Sequence, residues 1–211
     1  MNYMLIDLNQ VLISNLMQHL KMITKEQTMS EDLIRHMCIN TIRSNVRQFR
    51  SKYPNIVLCC DSKHYWRREA FAFYKSQRKH DREASGLDWG MIFDTLNRIR
   101  DDLKTHFPYK VLDVDGAEAD DVIAVLTARM APHSEVLILS SDKDFGQLQK
   151  YPNVTQYSPI LKKAIKEPLP AAQLKQLIIR GDKGDGIPNI MSADSCIVDG
   201  VRQKAITEAK I

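Results

Sequence analysis

Carboxylates that follow apolar β-forming runs are the residues of this chain best suited to chemistry. The stretch Asp115-Gly116-Ala117-Glu118-Ala119-Asp120-Asp121 follows Val111-Leu112 and Val114, and Ser140-Ser141-Asp142-Lys143-Asp144 follows Val136-Leu137-Ile138-Leu139. Each apolar run reads as a buried strand, and each acidic group precedes a helical pattern. Carboxylates a few ångströms apart raise one another's pKa or recruit a cation. The two clusters therefore point to a divalent-metal site.

The same strand-then-acid pattern occurs twice earlier, where Tyr3-Met4-Leu5-Ile6 ends in Asp7 and Asn55-Ile56-Val57-Leu58-Cys59-Cys60 ends in Asp61. A glycine-rich loop, Gly181-Asp182-Lys183-Gly184-Asp185-Gly186-Ile187-Pro188-Asn189, adds two further acids. The candidate ligands are then Asp7, Asp61, Glu118, Asp120, Asp121, Asp142, Asp144, Asp182 and Asp185. They are not spaced with His or Cys, and an all-oxygen set suits Mg²⁺ or Mn²⁺ better than zinc. Glu118 and Asp121 stand at helical positions i and i+3 and so share a surface, while Lys143 partly offsets the acids on either side of it. Two metals in such a site activate water and stabilise the leaving oxygen of phosphodiester hydrolysis without a protein nucleophile.

The positioning elements read as an alternation. Helical spacing is present over residues 12–23, over 30–49 behind the N-cap pattern Ser30-Glu31-Asp32, over 87–107, 118–130 and 145–150, and over 171–180. Further strands are expected at 109–114, 135–139 and 153–157, and residues 201–211 look helical. Alternating strands and helices predict an α/β fold with a mainly parallel sheet, its ligands at the strands' C-terminal ends. The first four strands all end in acid there. We place the α/β core at residues 1–160 and a helical element at 161–211.

The 211 residues, 44% hydrophobic and 27% charged, suit one well-packed core. No apolar run approaches the length of a membrane span, and no signal-peptide pattern opens the chain. Cys38, Cys59, Cys60 and Cys196 have neither CxxC spacing nor the look of a disulfide frame, which suits reduced thiols in the cytoplasm. Charge is unevenly spread, with 16 Lys/Arg against 8 Asp/Glu over residues 35–110 and 2 against 8 over 111–146. A phosphate-holding region beside a metal-holding one explains that asymmetry, and two solvated faces explain it as well.

Basic and aromatic residues interleave directly after Asp61. Lys63, Arg67, Arg68, Lys75, Arg78, Lys79 and Arg82 are placed to neutralise phosphates, and Tyr65, Trp66, Phe71, Phe73 and Tyr74 to stack on bases or pack locally. The competing reading is a surface helix with its aromatics tucked into the core. The backbone of Lys183, Gly184 and Gly186 suits close approach to a phosphate or a monovalent cation.

In their order, Asp7, Asp61, Glu118-Ala119-Asp120-Asp121, Ser141-Asp142-Lys143-Asp144 and the 181–188 loop resemble the 5′-nuclease (flap endonuclease) superfamily. Residues 65–82 and Tyr151-Pro152-Asn153-Val154 look most like its T-even bacteriophage branch. The resemblance implies a 5′→3′ exonuclease and flap endonuclease, with ribonuclease H activity, that removes RNA primers and adjacent DNA from lagging-strand fragments. It implies Mg²⁺ at two sites: Asp7, Asp61, Glu118, Asp120 and Asp142 at the first, and Asp144, Asp182 and Asp185, with Asp121 nearby, at the second. Residues 62–83 correspond to a helical arch in which Arg67 and Lys75 contact the scissile phosphate. The 181–188 loop corresponds to a duplex-gripping helix–three-turn–helix element carrying K⁺. Implied partners are DNA and RNA/DNA duplexes, a single-stranded DNA-binding protein and a sliding clamp, for a monomer in the host cytoplasm if phage-encoded.

Two departures stand out. Family members continue with further helices past the position matching Ile211, and Asn189 stands where the usual motif has Gly, so the duplex grip is expected to be incomplete. A PIN-type RNase with the same acidic core and a nucleic-acid-binding protein that does not cut are the alternative functions.

Overall fold

The computed structural model describes residues 1–20 and 30–207. Its sheet contains β1 (Tyr3–Asp7), β2 (Asn55–Cys60), β3 (Lys110–Asp113), β4 (Val136–Leu139), β5 (Val154–Ser158) and β6 (Lys163–Ile165) in the order β3-β2-β1-β4-β5-β6. The first five run parallel, and β6 returns antiparallel beside β5. Because β1 lies between β2 and β4, the connections leave it in opposite directions. The crevice at its C-terminal end is the topological switch point where open α/β sheets bind ligands. Asp7 is the last residue of β1.

Helices α1 (Leu8–Leu20), α2 (Glu31–Phe49) and α5 (Trp89–His106) belong to one side, and α6 (Ala119–Met130) to the other. Strand periodicity distributes the core between them. Met4, Ile6, Leu58, Cys60, Leu137 and Leu139 join Leu12, Ile34, Ile92 and Ile99, whereas Leu5, Val57, Cys59, Val136 and Ile138 join Ala119, Val122 and Ile123. A parallel sheet covered on both faces needs such continuous apolar strands. Ser30 caps α2 by accepting from the Leu33 N–H at 3.2 Å, and Asp88 caps α5 by accepting from the Met91 N–H at 2.9 Å. All four cysteines are buried free thiols. No helix among the described residues is long and apolar enough to cross a membrane.

The structure departs from the sequence expectations in three places. The sheet continues past residue 160 through β6, a three-residue edge strand, Lys163-Ala164-Ile165, too short to show an alternating pattern. Residues 65–82 form two short helices, α3 (Trp66–Ala70) and α4 (Gln77–Ala84), separated by a turn in which Lys75 has φ 55°. The helix expected over 201–211 is absent from its described part: residues 201–207 run without regular structure. The side chain of Gln203 and the backbone of Lys204 there bond instead to Asn189 and Ser192. Residues 208–211, and the 21–23 end of the first expected helix, lie outside the described residues. Helix α7 (Pro170–Arg180) forms where expected.

Candidate metal centre and nucleic-acid interface

Asp7 is 4% exposed, and its carboxylate accepts from the Gln10 N–H at 3.2 Å and from the Ser140 hydroxyl at 3.1 Å. Asp61 follows β2 and accepts from the Ala119 N–H at 2.9 Å, so the N-terminus of α6 points at it. Asp142 follows β4 and caps a 3₁₀ turn by accepting from the Asp144 N–H at 2.9 Å. With Asp120 these side chains line a cavity of about 240 Å³ at the switch point, with Lys75 and Arg78 at its edge. Among the described residues, no Lys or Arg lies within ion-pair distance of Asp7, Asp61, Asp120 or Asp142.

Four of the remaining acids have cations of their own, and Asp144 has no ion pair among the described residues. Glu118, 2% exposed, receives Lys75 Nζ at 2.7 Å, Arg67 Nη1 at 2.9 Å and the Tyr74 hydroxyl at 2.9 Å. Arg67 also reaches Asp121 through two donors, at 2.7 and 2.8 Å. Arg78 pairs with Asp185, and Lys143 with Asp182 at 2.9 Å. Lys143 thus pairs with the loop acid, while its charge also offsets its sequence neighbour Asp144 in part. Arranged this way, no three acids among the described residues converge tightly enough to ligate one ion. The donor set nevertheless fits a hard divalent cation: it is all oxygen, and its innermost four carboxylates have no ion pair among the described residues.

Their protonation expresses that charge excess. Burial, then repulsion from Asp120 and Asp61, raises the pKa of Asp7 well above the usual carboxylate range. Burial, then Asp142 and Asp61, pushes Asp120 up to about 7, and burial, then Asp142 and Asp182, pushes Asp144 up to about 6. At Asp121 and Asp182 burial also acts upward but is outweighed, by Arg67 and Lys143 respectively, and both are lowered. Carboxylates with raised folded pKa values hold protons that the unfolded chain has released, so metal-free stability falls as pH rises from about 4 to 7. Asp121 and Asp182 act only at more acidic pH. Mg²⁺ needs the ionised form, and its stabilisation of the fold is therefore expected to be larger at pH 8 than at pH 5.5. Differential scanning fluorimetry with and without Mg²⁺ at both pH values measures it, and an equal Tm shift at the two would contradict the assignment.

The basic segment is tied down at its start and in its middle. Tyr65 bridges Gly116, and the Trp66 N–H donates to the Gly116 carbonyl at 3.1 Å. Between α3 and α4 the Lys75 N–H donates to the Asp185 carbonyl at 2.8 Å, and the left-handed backbone at Lys75 accompanies the approach of its Nζ to Glu118. Gly186, at φ 75°, permits this docking, because a Cβ there would stand 2.6 Å from the Phe73 carbonyl oxygen. Gly186→Ala is expected to cost about 1–2 kcal/mol from the φ strain alone. That corresponds to a fall of roughly 2–8 °C in Tm. An unchanged melting curve would show that the loop and the segment are not packed as described.

Of the other residues expected to meet nucleic acid, Lys63, Arg68, Lys79 and Lys183 are exposed, as is Trp66, whose indole N–H donates to Asp121 at 3.3 Å. Lys63, Arg68, Lys79, Arg82 and Lys183 have no acid within ion-pair distance among the described residues. Asp115, part of the first acidic cluster, stands apart from the cavity and accepts from Ser62. Sequence reasoning missed the supporting groups. Tyr74 is 5% exposed and bonds Glu118 and Asp185, and Ser140 orients Asp7. Gln156 is 0% exposed and donates to the carbonyls of Ser140 and Asp142. A glutamine on the same strand face as Val154 was the one available signal.

Residues 2–177 match the family model described as 5′-3′ exonuclease, N-terminal resolvase-like domain. The chain is 38% identical over 192 residues to ribonuclease H of Enterobacteria phage T4, a match covering 88% of this chain and 62% of that protein. It is 34% identical over 134 residues to the flap endonuclease Xni of Shewanella pealeana, covering 59% of this chain and 48% of that one. The chain thus spans less than two thirds of the curated relatives it matches. Among solved structures, the bacteriophage T5 D15 flap endonuclease in a pseudo-enzyme–product complex with DNA and metal ions superposes with a TM-score of 0.68. That match has 20% identity over 92% of this chain and 71% of the other. The T5 D15 protein co-crystallised with metal ions gives a TM-score of 0.67 at 17% identity, over 94% and 73%. These two likenesses establish the fold.

Proposed function

Because the chain belongs to the 5′-3′ exonuclease family, we propose that it is a Mg²⁺-dependent 5′→3′ exonuclease and flap endonuclease, removing RNA primers and adjacent DNA during lagging-strand replication. The observation that carries this reading is the switch-point cavity, whose four aspartates have no ion pair among the described residues and whose edge carries Lys75 and Arg78. The ribonuclease H and flap endonuclease relatives support the substrate class: DNA and RNA/DNA duplexes with a 5′ flap or primer. We assign Asp7, Asp61, Glu118, Asp120 and Asp142 to a first metal, and Asp144, Asp182 and Asp185, with Asp121 nearby, to a second. Mn²⁺ is an effective substitute, and K⁺ belongs at the 181–188 loop. A single-stranded DNA-binding protein and a sliding clamp are proposed partners of a monomer in the host cytoplasm.

The metals, when bound, lower the pKa of a water and offset charge on the phosphate. The chain's own residues prepare the site for that chemistry. Ser140 and the Gln10 N–H hold Asp7 in one orientation, and the Ala119 N–H does the same for Asp61. Tyr74 fixes Glu118. Lys75 and Arg67, now engaged with Glu118, are placed to transfer their charge to a phosphate arriving beside it, where negative charge grows as the P–O bond breaks. Arg68, Lys79 and Lys63 extend the positive track for the single strand. We further propose that the α/β unit extends to Ile165 and that the remainder is the duplex-gripping element.

A labelled 5′ flap incubated with Mg²⁺ tests the reading. Mononucleotide or flap-length products are expected, and binding without products would identify a non-cutting nucleic-acid-binding protein instead. Cleavage of single-stranded RNA without regard to a 5′ flap would favour a PIN-type RNase.

A further inference from the structure

A second cavity, of about 340 Å³, adjoins the one between the aspartates, and the two share Asn9, Ile13, Asp61, Lys75 and Arg78. Its far wall is Trp89 and Phe93, one turn apart on α5, with ring centroids 5.4 Å apart and planes inclined at 36°. The Arg82 guanidinium lies over both, 5.7 Å from the Trp89 centroid and 5.1 Å from that of Phe93. Arg82 is half-buried, yet no carboxylate pairs with it among the described residues; Asp81 on the rim accepts from Gln77 instead. Its charged neighbours include Arg78 and Arg68. Burial first, and those neighbours next, lower its pKa. A guanidinium clamped on aromatic faces among charges of its own sign lacks an anion and presents a flat plane on which a base can stack.

We propose that Trp89, Phe93 and Arg82 form a nucleotide subsite that stacks the base of the residue joined to the phosphate at the carboxylates. Its ligand class is a nucleoside 5′-monophosphate. The inference rests on the nuclease reading and specifies where one product nucleotide sits. The cavity lies at the small end of the range for ligand pockets, roughly 300–1,000 Å³, which suits one nucleotide rather than a strand. Stacking on such a ledge is tolerant of base identity. That tolerance suits an enzyme that selects structure rather than sequence.

Isothermal titration of the full chain with dAMP and with 2-deoxyribose 5-phosphate, in the presence of Mg²⁺, tests the subsite. Wild type is expected to bind dAMP at least about fivefold more tightly than the base-free phosphate, in line with the stacking contribution of one base. The Trp89→Leu/Phe93→Leu double variant, which keeps apolar volume, is expected to abolish that difference while binding deoxyribose phosphate as before. If circular dichroism shows the double variant unfolded, Phe93→Leu and Arg82→Gln are read for a reduced difference in its place. Equal binding of the two ligands by wild type, or a full preference for dAMP in the folded variants, would overturn the proposal. Flap cleavage measured in parallel separates the two ideas. Cleavage without base-dependent binding sinks the subsite alone, and base-dependent binding without cleavage supports the subsite and sinks the nuclease reading.

Discussion

Asp120→Asn is expected to lower flap cleavage by about 10²- to 10³-fold or more, the scale seen when one preorganised charge-stabilising group is removed from a reaction centre. Flap affinity is expected to change by less than about threefold, because phosphate contacts by the basic segment dominate binding. The substitution keeps the shape of the side chain but removes a charge from the innermost cluster. Asp120 already titrates near neutrality, at about 7, because burial, then Asp142 and Asp61, disfavours its ionised form. The neutral amide therefore resembles a state the metal-free protein populates. Its Tm without metal is expected to equal or exceed that of wild type, and the increase in Tm with Mg²⁺ at pH 8 is expected to shrink. A variant that cleaves normally would remove Asp120 from the metal site, whatever its stability.

Lys75→Ala is expected to reduce the single-turnover rate at saturating flap by about 10²-fold or more, with a smaller change in affinity. Lys75 is held for this role by three features: a left-handed backbone, an N–H bonded to the Asp185 carbonyl, and an Nζ at 2.7 Å from a Glu118 carboxylate that is 2% exposed. Burial works against its charge, but the hydrogen bond to Glu118 and the field of Asp185 prevail and raise its pKa. Removing it leaves Arg67 to neutralise Glu118 alone, so the metal-free variant is expected to melt below wild type and to recover part of the difference with Mg²⁺. A change confined to affinity, with the saturated rate intact, would make Lys75 an electrostatic contact and not a participant in the chemistry.

Both variants act on features that differed in how far the sequence disclosed them. The strand-then-acid repetition at Asp7, Asp61, Glu118–Asp121 and Asp142 was legible because a buried parallel strand must be apolar throughout, leaving its terminal acid conspicuous. Strand order was not legible from periodicity, since alternation carries no information on which strands are neighbours. Edge strand β6 was hidden because Lys163-Ala164-Ile165 has an exposed lysine and too few residues to show a period. The split of the basic segment into α3 and α4 depends on the docking of Lys75 and Gly186 onto each other's chains, a long-range contact with no local signature. Which acids are paired internally was equally hidden: Lys143 partly offsets Asp144, as its spacing suggests, but makes its ion pair with Asp182. The same holds for Trp89 and Phe93. Helical spacing over 87–107 gives no sign that folding brings both rings to the edge of the carboxylate site.

The proposal on which the rest depends is that the four aspartates lining the switch-point cavity hold the catalytic cation. A crystal soaked in Mn²⁺ and measured at the manganese edge tests it most directly. Anomalous density is expected among Asp7, Asp61, Asp120 and Asp142, with Glu118 released from Lys75 to join them. Density only elsewhere, or none there at saturating Mn²⁺, would contradict the account.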